Sequence, residues 1–237
     1  GKGTIEDNVK VAAARGLKSI AITDHGPGHL TYGIDMEKLP QMRRDIAAIK
    51  DAFPQVEILL GVEANTLRVA PYLDVLPEDG DKFDILLAGY HFGIRHCGMV
   101  PNYLYHKLKM SPREGSSLLV KNTAMILDCL YFNEEKGNHI DVLTHPGDKG
   151  PFDIEDIAKA CADTGTLIEI NDKHAHLTVE EIKIAAKFDV SFIIGSDAHV
   201  PEKVGSFEGP LRRALEAGLD PGRIVNISLA NEGQKEI

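Results

Sequence analysis

Six short tracts carry side chains able to hold metal ions or move protons: Thr23-Asp24-His25-Gly26, Val62-Glu63-Ala64-Asn65, Gly89-Tyr90-His91, Thr144-His145-Pro146-Gly147, Ile170-Asn171-Asp172-Lys173 and Gly195-Ser196-Asp197-Ala198-His199. Taken singly, each histidine at a strand end is more often a capped or hydrogen-bonded structural residue than a ligand. Taken together, His25, Glu63, His91, His145, Asp197 and His199 form a mixed imidazole and carboxylate set without thiolate. That donor set suits Zn²⁺, Mn²⁺ or Fe better than the all-oxygen preference of Ca²⁺ or Mg²⁺. It exceeds one tetrahedral site and is enough for two or more ions, with Glu63 or Asp197 as a bridging carboxylate. A shared water would become hydroxide near neutral pH.

Asp197 and His199 are separated by one residue, so on an extended strand both face the same way and reach one centre. Asp24 then faces away from His25, and its expected role is to orient a ligand from behind or to serve as a cap or ion-pair partner. His25, Asp197 and His199 are the expected catalytic groups, one of them protonating a leaving group. Asn171, Arg95 and Lys173 are candidates to contact substrate, together with His96, His174 and His176.

Each tract must be positioned by what precedes it, and what precedes it is a short continuous apolar run: Ser19-Ile20-Ala21-Ile22, Glu57 to Gly61, Phe83 to Leu87, Asp141-Val142-Leu143, Thr166 to Ile170 and Val190 to Ile194. Helix-length amphipathic stretches alternate with these runs, from Thr4 to Gly16, Met36 to Ala52, Ser116 to Leu130, Thr178 to Phe188 and Leu211 to Ala217. Strands buried on both faces lose the in-out alternation, so the pattern predicts an α/β fold of parallel strands covered by helices. A closed barrel and an open doubly wound sheet both fit. Polar residues at nearly every strand end favour the barrel, because an open sheet needs them only at its switch point. The irregular stretch from Arg95 to Gly115 reads as a loop or lid. A terminal apolar run follows at Ile224-Val225-Asn226-Ile227.

The chain is 237 residues long, with no composition break, and is read as one domain over 1–237. A formal charge of -10 opposes non-specific attraction to nucleic acid and to anionic membranes. Cys97, Cys129 and Cys161 form no CxxC pair, which argues against a disulfide framework or zinc knuckle and for a reducing cytoplasm. No apolar run approaches the roughly 20 residues of a membrane span, and Gly1-Lys2-Gly3 opens into a polar helix rather than a signal peptide. Oligomeric state has no reading in the sequence.

The six tracts, in this order and at strand ends, closely resemble the motifs of the polymerase and histidinol phosphatase (PHP) superfamily over nearly the whole chain, most of all its stand-alone phosphatase branch. The resemblance implies a distorted seven-stranded barrel, a trinuclear centre of zinc, manganese or iron, and hydrolysis of phosphate esters. Family members begin with a strand bearing a His-x-His pair and a further His. This sequence starts where those residues would end, so the first strand is expected to be missing from it. The working mechanism is in-line attack on a phosphomonoester by a metal-bridging hydroxide. Two rivals stand beside it: an amidohydrolase-like enzyme on the same architecture, and a non-catalytic pseudo-phosphatase serving as a binding domain. An exonuclease role is disfavoured by the acidic balance.

Overall fold

The computed structural model describes residues 1–94, 99–111, 113 and 115–228. Helix α1 (Ile5–Ala14) begins at Thr4, whose side chain accepts from the Asp7 N–H while the Asp7 carboxylate accepts from the Thr4 N–H, a reciprocal capping box. Gly16, at φ 71°, turns the chain out of the helix into β1 (Ser19–His25). The alternation then runs α2 (Leu39–Lys50), β2 (Glu57–Asn65), β3 (Ile85–Gly89), α3 (Met99–Lys107), α4 (Ser117–Glu135), β4 (Val142–Leu143), α5 (Ile154–Thr164), β5 (Leu167–Asn171), α6 (Val179–Ala185), β6 (Phe192–Gly195) and α7 (Glu208–Glu216). A second capping box, Thr178 with Glu181, opens α6.

All six strands pair in parallel, in the order β1-β2-β3-β4-β5-β6. Sequential order with a helix behind most strands is the arrangement of a (β/α) barrel wall, in which every carboxyl end faces the same rim. Register brings His25 opposite Glu63, Asn65 opposite Gly89 and Asn171 opposite Gly195. The main core packs the sheet against the helices, with Leu60, Leu143, Ile168, Ile170 and Phe192 buried almost completely among Ile126, Leu130, Ile157 and Ile182, and a smaller cluster forms around Ala12, Val56 and Val204. No described helix is long and apolar enough to cross a membrane.

Within the stretch expected to be a loop or lid, residues Met99–Lys107 form α3. Pro101 reads as a breaker in sequence, but it falls in the first helical turn, where the missing N–H costs nothing. The helix docks through Tyr103 and His106, both packed edge-on against Phe92. Arg95, His96 and Cys97 lie outside the described residues.

The terminal run covers the outer edge of β6. Ile224 bridges to Phe192, and the Asn226 side chain accepts from Ile194 N–H at 2.9 Å and donates to Ile194 O at 2.8 Å, imitating a further strand. Arg223 secures this segment. Its guanidinium donates to Ala186 O at 2.7 Å and to the carbonyls of Phe188 and Val190, and it lies 5.4 Å above the Phe192 ring. Replacing Arg223 with Ala should therefore cost about 2–3 kcal/mol, since charged hydrogen bonds to carbonyls are lost at once. Urea denaturation would check this, with Arg223→Lys retaining part of the stability.

Candidate metal centre

Glu63 occupies the middle of the rim. Its Oε1 accepts a hydrogen bond from Thr144 Oγ1 at 2.9 Å and sits 3.1 Å from His145 Nε2 and 3.3 Å from His91 Nε2. Its Oε2 lies 3.5 Å from His25 Nδ1. The rings crowd to match, with His25 and His91 centroids 4.6 Å apart and His91 and His145 5.1 Å apart. His25 Nδ1 and His91 Nε2 are buried and near the carboxylate, yet neither has the alignment of a hydrogen bond. Nitrogen atoms that converge without bonding are what a shared cation would use, and His25, Glu63 and His91 offer three ligand atoms within 4.8 Å of one another.

A second group adjoins the first. Ligand atoms of His145, His174 and Asp197 also lie within 4.8 Å of one another. Asn171, fully buried, organises it: its Nδ2 donates to Glu169 Oε2 at 3.0 Å and to Asp197 Oδ2 at 3.4 Å, and its Oδ1 accepts from the His174 N–H at 2.8 Å. Glu169 Oε2 accepts in turn from the His145 N–H at 2.8 Å. His145 at φ 28° and Asp197 at φ 46° both sit in left-handed backbone, a conformation that costs on the order of 1–3 kcal/mol and persists where surroundings enforce it.

The charges are balanced only locally. Burial would raise the Glu63 carboxyl, but the His91 charge and the hydrogen bond from His145 outweigh it and hold Glu63 well below the usual carboxylate range. His145 answers in the opposite sense: burial lowers it, the Glu63 hydrogen bond and charge raise it further, and it ends at about 9. His25 is driven down to about 4 by burial and by His91. Glu169 is pushed up by burial. Burial would raise Asp197, but His174, Lys173 and His145 together outweigh it and hold the carboxyl low. These two groups are compatible with divalent cations, which would relieve the crowding of buried carboxylates.

Of the residues expected to meet, His25, Glu63, His91, His145 and Asp197 are brought together. His199 is not in either group. The chain turns at Asp197 instead of continuing as a strand, so His199 is half exposed, with Nδ1 3.2 Å from Asp197 Oδ1 and Nε2 2.8 Å from Lys173 Nζ. Lys173 thus stands at the mouth of the site, also 3.8 Å from Asp197 Oδ1. Asn171 is buried under the site rather than open to a ligand. Asp24 is exposed and has no hydrogen-bond or ion-pair partner among the described residues, whereas the residue that orients a histidine is Asn65, whose Oδ1 accepts from His91 Nδ1 at 2.8 Å. Asp74 fixes Asn65 in turn, accepting from its side chain and, at 2.7 Å, from its backbone N–H. His176 pairs with Glu181 at 3.2 Å, and Arg95 and His96 lie outside the described residues. The sequence did hold a signal for Asn65, which lies two residues beyond Glu63 on the same strand face.

A parallel α/β wall with imidazoles and carboxylates gathered on its carboxyl rim defines a protein with a candidate metal centre of barrel type. The PHP domain family model matches residues 1–173 and the PHP-associated model residues 180–207. The chain belongs to the PHP domain family. It is 30% identical to a protein of Syntrophotalea carbinolica named probable phosphatase, over 95% of this chain and 86% of that protein. It is likewise 30% identical to a probable phosphatase of Proteus mirabilis, over 99% of this chain and 90% of the other. Among solved structures, a candidate histidinol phosphatase of Listeria monocytogenes superposes with a TM-score of 0.59 at 16% identity, covering 85% of this chain and 91% of its own. A chain of an archaeal ribonuclease P solved with mature tRNA superposes with a TM-score of 0.53 at 14% identity, covering 99% and 98%. Both share the fold.

Two glycines leave the space that polar side chains of the rim occupy. A Cβ on Gly195 would stand 1.8 Å from Glu169 Oε1, and one on Gly89 2.3 Å from Thr144 Oγ1. Gly195→Ala should push Glu169 off the His145 N–H and lower stability by about 1–3 kcal/mol. An unchanged denaturation midpoint would contradict that packing.

Proposed function

We propose that this chain is a metal-dependent phosphatase acting on a small phosphomonoester. The observation that carries the reading is the position of Glu63, with a carboxylate oxygen within 3.5 Å of each of three imidazoles, next to Asp197 on a shared rim. His25, Glu63, His91, His145 and Asp197 would hold two or three ions of zinc, manganese or iron. Bound there, such ions supply Lewis acidity toward phosphoryl oxygens and a hydroxide nucleophile at neutral pH. The protein's own groups do the rest. Lys173 and His199, at the mouth, meet the non-bridging oxygens, and His199 is the group exposed enough to hand a proton to the leaving oxygen. Burial of His145 and His91 limits the access of bulk water to the reacting side. The relatives' name, probable phosphatase, supports the reaction class, and a charge of -10 argues against a nucleic-acid substrate. Cys129 and Cys161 are buried and their thiols pushed up by burial, which suits a reducing cytoplasm.

A first strand ahead of Gly1, bearing the family's His-x-His pair, would complete a seven-stranded barrel along the free edge of β1. The Lys2 N–H donates to His199 O at 2.8 Å, so residue 2 already stands at the same rim. The encoded residues upstream of Gly1 test this part of the reading.

Elemental analysis of purified protein, paired with a release screen over phosphate esters, amides and cyclic ureas, tests the whole. Phosphate release that vanishes on chelation and returns with Mn²⁺ or Zn²⁺ is expected, and a metal-free active enzyme would reject the assignment. Asp197→Ala should lower kcat roughly 10²- to 10³-fold, the cost of one buried electrostatic partner.

Proton linkage gives a further check. His145, raised to about 9, carries its proton at pH 7 in the metal-free protein, and a cation at Nε2 must displace it. Apparent metal affinity should therefore rise from pH 6 to 9 and level off above. His25, at about 4, adds nothing to that slope above pH 5. Calorimetry in buffers of different ionisation enthalpy should register about one proton released by His145 per chain at pH 7.

A further inference from the structure

We infer that His174, oriented by Asp148, is a metal ligand in its own right and completes a second cation site with His145 and Asp197, distinct from the one formed by His25, Glu63 and His91. The inference rests on the metal-dependent reading above and deepens it, because His174 is in none of the motifs that carry the family resemblance.

Two contacts define the position of the His174 ring. Its two ring nitrogens are both directed at carboxylates, Nδ1 3.1 Å from Asp148 Oδ2 and Nε2 3.1 Å from Asp197 Oδ2. Both contacts are at ion-pair distance, and Asp148 Oδ2 is buried without an aligned hydrogen-bond donor. A carboxylate behind one nitrogen of an imidazole whose other nitrogen points into a cluster is the usual support of a ligating histidine, since it fixes both tautomer and ring plane.

The framework is rigid on every side. Asn171 Oδ1 accepts from the His174 N–H at 2.8 Å, and Ala175 follows in left-handed backbone at φ 57°. The tract carrying Asp148 is tied down by His106 of α3, whose Nδ1 donates to Asp148 O at 2.9 Å. Lys149 pairs with the Asp148 carboxylate from the other side. The His145 and His174 rings are 4.9 Å apart, so both can face one ion. Glu63 Oε1, hydrogen-bonded to His145 Nε2, lies between this site and the first one and can serve both.

The competing account is a chain of buried charges, with a protonated His174 linking Asp148 and Asp197 and no metal involved. Metal content separates the two without reliance on activity. Chelated full-length protein is reloaded with Mn²⁺, Zn²⁺ or Co²⁺, and ions per chain are counted for wild type, His174→Ala, His174→Gln, Asp148→Asn and His25→Ala. Wild type should bind at least two ions. His174→Ala and His174→Gln should each lose one and alter the Co²⁺ visible spectrum, while His25→Ala loses the other ion. Asp148→Asn should keep the count at saturation but weaken one ion roughly 10- to 100-fold. If folded His174 and Asp148 variants bind as many ions as wild type with equal affinity, His174 is a charge link or substrate contact and the inference is overturned. A wild type that binds no ion overturns the metal-dependent reading itself.

Discussion

The constraint on which the rim depends is the burial of several carboxylates close to one another. Glu169 is buried and Glu63 and Asp197 are largely so at the carboxyl ends of neighbouring strands, where water screens them weakly. A buried anion is tolerable only when opposed by positive charge and donors, and every nearby element supplies some. His145, His91 and Thr144 face Glu63, Asn171 and the His145 backbone face Glu169, and His174 and Lys173 face Asp197. The opposite shifts of Glu63 and His145 are one interaction seen from two sides. A cation would replace this shared proton with fixed charge.

Support behind the ligands explains how the fold maintains such an arrangement. The parallel register aligns His25 with Glu63 and Asn171 with Gly195, so side chains from adjacent strands enter one layer. Asn65 and Asp74 hold His91 from the side of β2, while Asn171 holds Asp197, Glu169 and the backbone of His174 from β5. Gly89 and Gly195 leave the space these polar groups occupy. The left-handed backbone at His145 and Asp197 is the cost of turning both inward at a strand end, and it falls on residues whose side chains converge.

The fold was legible because its signal is redundant. Capping boxes at Thr4 and Thr178 announced α1 and α6, and continuous apolar runs announced strands buried on both faces. Boundaries shifted by a residue or two: β3 begins at Ile85 rather than Phe83, and α6 ends at Ala185 rather than Phe188. α3 was missed because Pro101 and the aromatic run around it look like a loop until Phe92 is seen packing against Tyr103 and His106.

What the sequence determined by itself is the family, the parallel α/β wall and the strand ends that bear His25, Glu63, His91, His145 and Asp197, since strand period and motif order are local properties. Tertiary structure alone decided which neighbours join them. The two-residue rule holds only while the chain stays extended, and at Asp197 it turns, leaving His199 at the mouth beside Lys173. His174, with no motif to mark it, enters from the loop after β5, where Asn171 holds its backbone and Asp148 stands beside its ring. Such convergence comes from contacts between distant segments, and spacing along one segment carries no record of it.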